Sequence, residues 1–428
     1  NSGNSTCEFL SLPLRPAPHL TPTPNKRRFT HNHTTLDIPE TSSLPLRLSS
    51  STAFPATQMR SPLARLLFLV FVAGHVVISV HFPAPQKISL APSTYATVSV
   101  ISDLHVDTAP NRAWVQTNLF PPPEPGFHVL ALGGDVSSSL TTIRSTLREL
   151  RMRFSAVVFI AGNHELWNPN PGSTSFDKLQ DIKDVCDEEE VCSGPLTLFV
   201  GSESVDVVPL QAWYTAEFDT SPEINSAEWR ELETLKPFET RWGDYRKCRW
   251  AAGVDPESVA KEMDDINHLH HHRFKPPLTG RLESHSLITI SHFLPSLRCL
   301  PEKGMLREPR IHSVVGSFEL QDRVKSLKPN LHVFGHTHIP IEVYTEEGVR
   351  TISWPLGYQR EWDGRVCAPV AATGALTVWD STCGLRKDLA SADLFWSRYY
   401  RENERGGNII APYAQQYHEE RLKRAKNK

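Results

Sequence analysis

One segment, residues 127–164, sets the fold class, and it reads FHVLALGGDVSSSLTTIRSTLRELRMRFSAVVFIAGNH. Residues 127–132 and 156–161 are short, continuously apolar runs, which are typical of strands that are covered on both faces. Residues 138–154 between them predict a helix, because apolar side chains recur on one helical face and a serine can cap its start. A strand, a helix and a strand at this spacing predict βαβ units and a layered α/β fold.

The pattern of apolar runs continues on both sides of this segment. Three further runs predict buried strands at residues 96–101, 286–290 and 331–334. Later runs predict antiparallel strands at residues 339–344, 349–353 and 375–379.

The composition excludes several classes of protein. The 428 residues carry a formal net charge of −3, and residues 91–428 carry −8, which disfavours nucleic acid as a partner. Seven cysteines are too few, and odd in number, for a disulfide-stapled scaffold. No apolar run is long and clean enough to predict a membrane span. The chain is therefore expected to be globular and larger than one small module.

The first part of the chain, residues 1–90, is expected to be a disordered leader, because it carries a charge of +5 and its first 58 residues are rich in Ser, Thr and Pro with no periodic apolar pattern. Residues 59–82 resemble a signal or targeting segment, because Arg60 and Arg65 precede the mostly apolar run 66–80. A plastid, mitochondrial or secretory route follows from this interpretation, and the cytoplasm is the alternative. A membrane contact is expected only through residues 66–80.

The main domain is expected at residues 91–385. Within it, residues 166–285 have a weak pattern but many aromatic side chains, so we expect a large folded insertion or lid. Residues 386–428 are expected to form a partly helical tail whose basic end is solvated and frayed.

Polar side chains follow each of the five buried strands at the point where the strand ends. They are, in chain order, Asp103 and His105, then Asp135, then Asn163 and His164, then His292, then His336 and His338. The carboxyl ends of strands in an open α/β sheet are where ligands bind. Any one of these short motifs occurs often by chance, but the ordered set at successive strand ends predicts a functional site.

These residue types point to metal chemistry. Carboxylate, amide and imidazole ligands without a thiolate suit divalent Mn, Fe, Zn or similar ions. Seven ligands exceed the need of one tetrahedral site and suit two ions that share a bridging carboxylate. Such a pair clamps a phosphoryl group and lowers the pKa of a shared water.

The ordered motifs resemble those of the calcineurin-like metallophosphoesterase superfamily, over about residues 96–379, and in part a branch of it from plants and protists. The resemblance implies a four-layer α/β/β/α sandwich and two divalent metal ions. For the ligands of one metal it implies Asp103, His105 and His338, and for the other Asn163, His292 and His336. It implies that Asp135 bridges the two ions and that His164 assists the leaving group during attack by a metal-bridging hydroxide.

Departures from relatives narrow the expected substrate. Asp135 is followed by Val136, so the Asp-Arg-Gly element of the protein Ser/Thr phosphatases is missing. Ser138 stands where purple acid phosphatases have a tyrosine ligand. A small phosphomonoester, phosphodiester, nucleotide or lipid headgroup remains, with no obligate protein partner evident. The alternatives are a catalytically idle binding or scaffold protein on this fold, and a nuclease.

Overall fold

The computed structural model describes residues 86–273, 285–363, 366–387, 389, 394–406 and 409–427. Its strands are β1 (Gln86–Leu90), β2 (Ala96–Ile101), β3 (Phe127–Leu132), β4 (Ala156–Phe159), β5 (Leu196–Val200), β6 (Glu203–Pro209), β7 (His285–Ile290), β8 (Leu331–Phe334), β9 (Ile341–Tyr344), β10 (Arg350–Ser353), β11 (Leu376–Asp380) and β12 (Gly384–Leu385). Its helices are α1 (Ala109–Asn118), α2 (Leu140–Arg153), α3 (Ser175–Glu188), α4 (Ala227–Leu235), α5 (Phe238–Arg241), α6 (Asp244–Lys247), α7 (Pro256–Arg273), α8 (Phe318–Leu327), α9 (Ala368–Thr373), α10 (Phe395–Glu402) and α11 (Pro412–Lys426). Most of the predicted leader, with its targeting segment at 59–82, lies outside the described residues.

The strands form two sheets. The smaller has the order β12-β11-β2-β3-β4, in which β2, β3 and β4 are parallel and β11 is antiparallel to β2. The larger has the order β1-β5-β6-β7-β8-β10-β9, in which β6, β7, β8 and β10 run parallel. The parallel strands of each sheet therefore end at a common edge, which places the polar residues that follow them together.

The two sheets and their helices form the predicted four-layer sandwich. One apolar core contains side chains from both sheets, such as Val98 and Val207, and the inner face of α2, such as Leu147. A second core places α7 and α8 against the other face of the larger sheet. Helix α2 begins as predicted, because the Ser139 hydroxyl accepts a hydrogen bond from the Thr142 N–H.

The predicted start of the main domain at residue 91 is wrong. Residues 86–90 form the edge strand β1, which pairs in parallel with β5 along its whole length. Ile88 and Leu90 pack against the core, whereas Gln86, Lys87 and Ser89 are exposed. This alternation is only five residues long and follows a proline-containing stretch, so the sequence pattern did not separate it from the leader.

The interval 166–285 is not a simple insertion. Strands β5 and β6 lie inside it and occupy positions between β1 and β7 in the larger sheet. Strand β6 buries Ser204 and Asp206 among its valines, and both contact the His285 ring, at 2.9 and 3.0 Å. These buried polar residues interrupt the apolar run from which a strand would be predicted.

The C-terminal tail contains helices α10 and α11, and α11 is packed against the rest of the chain rather than solvated. Helix α11 packs against α4 and buries Ala414, His418 and Leu422. Trp396 of α10 is also buried, in the core beneath α7 and α8. Among the described residues, every helix is too short or too polar to cross a membrane.

Candidate metal centre

All eight predicted site residues lie at the edge where the parallel strands of both sheets end. Five of the seven predicted ligands have a left-handed backbone: Asp103, His105, Asp135, His336 and His338, with φ between 44° and 73°. Such a backbone is costly for residues other than glycine and persists only where the surrounding structure holds it. Five such residues at one edge of the sheets indicate that these strand ends serve a function rather than stability.

The first group of ligands contains Asp103, His105 and His338, whose ligand atoms all lie within 4.8 Å of one another. His338 Nε2 lies 2.9 Å from His105 Nε2 and 3.4 Å from Asp103 Oδ1. The other ring nitrogen of His338, Nδ1, contacts Glu361 Oε2 at 2.9 Å, so Nε2 presents its lone pair to the site when the ring is neutral.

The second group contains Asn163, His292 and His336. His292 Nδ1 donates to the Gly133 carbonyl at 2.8 Å, and His336 Nε2 donates to the Val314 carbonyl at 2.9 Å. The opposite nitrogens of the two rings are therefore acceptors, and they lie 3.2 Å apart. Each is also within 3.0–3.1 Å of Asn163 Oδ1.

Asp135 lies between the two groups. Its Oδ1 is 3.5 Å from His292 Nε2, and its Oδ2 is 3.8 Å from His105 Nε2. The carboxylate thus faces one ligand of each group through a different oxygen. This is the arrangement that a bridging ligand requires.

The donor set fits divalent cations. In the second group, three acceptor atoms meet with no proton between them, which is repulsive unless a positive charge joins them. In the first group, His105 Nδ1 is buried without a hydrogen-bond partner among the described residues. Oxygen and imidazole ligands without sulfur suit Mn, Fe or Zn, as the sequence predicts.

Close backbone approach at this edge requires glycine. A Cβ on Gly162 would lie 2.3 Å from Asp135 Oδ1 and 2.8 Å from His292 Nδ1. Gly134 has a φ of +85°, and a Cβ there would lie 2.7 Å from the same His292 nitrogen. The two glycines therefore let the loops after β3 and β4 pack closely around the Asp135 carboxylate and the His292 ring.

His164 stands beside the two groups. Its Nε2 lies 3.8 Å from Asp135 Oδ2, and its ring stacks on Trp167 at 3.6 Å between centroids. Burial, together with the charge of Lys247, lowers the pKa of His164 well below its usual value. The ring is therefore neutral at physiological pH and offers one N–H donor.

The ionisation of the first group is set by its neighbours. Burial lowers the pKa of His338, but the carboxylates of Glu361 and Asp103 outweigh it and raise that pKa well above its usual value. Burial raises the pKa of Asp103, yet contact with His338 leaves it lowered overall. A proton and a cation would therefore compete for the same nitrogen of His338.

Three supporting carboxylates were not predicted. Glu165 accepts four backbone hydrogen bonds of 2.7–2.9 Å, from Asp135, Val136, Ser137 and Gly162. Burial raises its pKa to about 7 even though these N–H groups lower it. The Gly-Asn-His-Glu motif draws attention to Glu165, but it does not indicate that Glu165 accepts backbone hydrogen bonds.

Asp244 and Glu361 complete the set. Asp244 accepts from the Asn163 amide at 2.9 Å and from the indoles of Trp167 and Trp242 at 2.6 and 2.9 Å. Glu361 accepts from the Tyr358 N–H as well as contacting His338. Neither carries a sequence signal, because each meets its partners only through the fold.

A cavity of about 600 Å³ opens beside the metal centre. Its lining includes His105 and His164 together with Trp167 and Tyr358. Tyr358 stacks on His105 with the ring planes 15° apart and the centroids 4.4 Å apart. A ligand in this cavity would therefore reach the metal centre between two ring stacks.

The two sheets, with clustered ligands at their common edge, define a metal-dependent phosphoesterase. The family model of the calcineurin-like phosphoesterases matches residues 96–340, and the chain belongs to that family. Its members hydrolyse phosphoester bonds in a metal-dependent reaction, and the site described here is equipped for that activity.

Two comparisons concern one particular relative. The chain is 27% identical over 282 residues to the [acyl-carrier-protein] phosphodiesterase PptH of Mycobacterium tuberculosis, which covers 63% of this chain and 80% of that protein. The crystal structure of the phosphopantetheinyl hydrolase PptH from the same organism superimposes with a TM-score of 0.50 at 22% identity. That match covers 63% of this chain and 92% of the solved chain, and it supports the fold.

Proposed function

We propose that the protein is a binuclear phosphodiesterase. One cation would be held by Asp103, His105 and His338, and the other by Asn163, His292 and His336, with Asp135 shared between them. The observation that carries this proposal is the convergence of Asn163 Oδ1, His292 Nε2 and His336 Nδ1 within 3.0–3.2 Å. Three acceptors at this separation need a cation, and a second, equally dense group lies across Asp135.

The residues of the chain would divide the work as follows. Bound divalent cations supply a water of lowered pKa and neutralise charge on the phosphoryl oxygens. His164 faces the cavity as a neutral donor and would hydrogen-bond the departing oxygen, which favours expulsion of the alcohol. Glu361 and Asp244 hold His338 and Asn163 in the orientation that directs their ligand atoms inward.

A diester substrate is favoured over a monoester by the relative. PptH is named as a phosphodiesterase of acyl carrier protein, and it matches this chain over 63% of its length. A phosphodiester that links a small molecule to a second small molecule or to a protein is therefore the substrate class that we propose.

Hydrolysis of bis(p-nitrophenyl) phosphate by the full chain tests the proposal. We expect turnover with added Mn²⁺, its loss on chelation, and a metal content near two per chain. Asp135→Asn should lose both metal and turnover, because it weakens the shared ligand. Turnover that persists in metal-free protein would contradict the proposal, and bound metal without any turnover would indicate an idle binding protein.

His164→Ala separates catalysis from metal binding. We expect kcat to fall by about 10²- to 10³-fold, the range for a lost hydrogen-bond donor to developing negative charge, while the metal content is unchanged. The same substitution at the exposed His268 is the control and should leave kcat near the wild-type value. A His164→Ala variant with wild-type kcat would remove this residue from the reaction.

A further inference from the structure

The cavity beside the metal centre has one wall built on the segment 246–249. Lys247 Nζ lies 3.4 Å above the Trp167 ring, which in turn stacks on His164. The segment is tied to the loop after β4, because the Lys247 carbonyl accepts from the Asn168 N–H at 2.8 Å. Arg249 Nε donates to the Asn168 carbonyl at 2.9 Å. These two hydrogen bonds fix the backbone of the segment beside the cavity, so its cationic side chains are held there by the fold.

A second part of the lining repeats this arrangement with different residues. The guanidinium of Arg360 lies 4.8 Å from the centre of the Tyr358 ring, which stacks on His105. Tyr358 is held by its N–H, which donates to Glu361 at 2.7 Å. Each of the two sets therefore consists of a site histidine, an aromatic ring that stacks on it and a cation over that ring.

The lining has a strong excess of positive charge. Its basic residues are Arg246, Lys247, Arg249 and Arg360, and its one carboxylate is Asp107. Asp107 already accepts from the Ser137 hydroxyl at 2.7 Å and from the Ser138 N–H at 3.1 Å. This local excess of positive charge contrasts with the net charge of −8 for residues 91–428 as a whole.

We propose that this cavity selects phosphodiesters that carry a second phosphate group, with Lys247 and Arg360 binding that group. The inference rests on the proposed phosphodiesterase function and names the substrate class of the same site. A single diester carries one negative charge, which the metal centre itself would neutralise, so the excess of basic over acidic residues in the lining favours a substrate with a second anion. The cavity is in the size range of small-ligand sites and has room for more than the scissile phosphate.

A matched pair of chromogenic diesters tests this. Thymidine 5′-(p-nitrophenyl phosphate) and its 3′-phosphorylated form share the nucleoside, the scissile bond and the leaving group, and differ only in the second phosphate. We expect the full, metal-loaded protein to favour the 3′-phosphorylated substrate by about tenfold in kcat/KM at low salt. The preference should shrink as the ionic strength rises, since the cations are solvent-exposed.

Substitutions then locate the origin of the preference. In the Lys247→Met/Arg360→Met double variant, which removes both charges but keeps an unbranched side chain at each position, the ratio of the two kcat/KM values should fall to below about twofold. Lys325→Met and Arg398→Met, on exposed parts of α8 and α10, are the matched controls and should keep the wild-type ratio. A preference that survives in the double variant would overturn the assignment of the two residues.

A binding measurement needs no variant and no turnover. Thymidine 3′,5′-bisphosphate should bind the wild-type protein about tenfold more tightly than thymidine 5′-monophosphate in calorimetry. Equal binding, together with equal kcat/KM for the two diesters, would overturn the inference while leaving the phosphodiesterase intact. No metal-dependent turnover of either diester would instead be a failure of the proposed function. Tight binding of an acidic carrier protein without a preference between the diesters would assign the cations to a protein partner and also overturn the inference.

Discussion

The side chains that orient the ligands are as decisive as the ligands. The Asn163 side chain is an amide, and a hydrogen-bond partner must set which way its oxygen and its nitrogen point. Asp244 does this, since its carboxylate accepts the Asn163 Nδ2 hydrogen bond and leaves Oδ1 directed at the two histidines. The same carboxylate holds Trp167, on which His164 stacks, so one buried residue positions a predicted ligand and the predicted acid.

Asp244→Asn should therefore weaken the metal centre. The replacement amide has one acceptor oxygen for three N–H donors, so it would turn or displace Asn163. We expect metal affinity to fall by about 10- to 100-fold, the range for lost supporting partners of metal ligands. Titration of the metal-free protein with Mn²⁺ measures this. Asp264→Asn, which removes a surface ion pair with Arg323, is the control, and wild-type affinity in Asp244→Asn would contradict the assigned role.

At the scale of elements, the loops after β3 and β4 are joined by one carboxylate. Glu165 accepts the N–H groups of Asp135, Val136 and Ser137 from the first loop and of Gly162 from the second. An ionised carboxylate satisfies all four donors, which would otherwise be buried without acceptors. Asp135, the residue proposed to bridge the two cations, is thus held in its left-handed backbone from the neighbouring loop.

Glu165→Gln should destabilise the fold as well as the site. Glutamine presents an N–H₂ group to backbone donors that need an acceptor, which leaves buried N–H groups unpaired. We expect the free energy of unfolding to drop by about 3 kcal/mol. Urea denaturation measures the loss, and Glu347→Gln in the exposed turn after β9 should change it by less than about 0.5 kcal/mol. An unchanged midpoint would show that the four hydrogen bonds are not needed.

The strand β1 is the other element whose role can be tested. It covers the edge of β5, whose backbone groups would otherwise be exposed to pairing with other chains. A variant that begins at residue 91 should be less stable by about 2 kcal/mol than one that begins at residue 86, since Ile88 and Leu90 lose their packing. It should also aggregate more readily. Equal melting temperatures and equal solubility for the two variants would show that β1 is dispensable.

At the scale of the whole molecule, the metal centre joins the two sheets. Asp103, Asp135 and Asn163 follow strands of the smaller sheet, and His292 and His336 follow strands of the larger one. Cations bound between them would connect the layers, whereas the metal-free site holds facing acceptors and strained backbone. Metal binding should therefore stabilise the folded chain as a whole.

Metal removal is expected to lower the thermal midpoint. At a free metal concentration about 100 times the dissociation constant, binding contributes about 2.7 kcal/mol. For a domain of this size we expect chelation to lower the midpoint by at least about 5 °C, with recovery when Mn²⁺ is restored. Calorimetry with and without chelator measures the shift, and Asp135→Asn should show little of it. A midpoint insensitive to chelation in the wild-type protein would contradict a metal that bridges the sheets.

The sequence alone determined the fold class and predicted the eight site residues that the structure brings to one edge. Continuous apolar runs are local signals, and parallel strands bring the residues that follow them to one edge, so the eight positions from Asp103 to His338 could be inferred without coordinates. The tertiary structure alone revealed the edge strand β1, the polar strand β6, and the partners Glu165, Asp244 and Glu361. The charged cavity walls at Lys247 and Arg360 belong to the same set. Their roles come from contacts between segments far apart in the chain, and such contacts leave no periodic mark in the sequence.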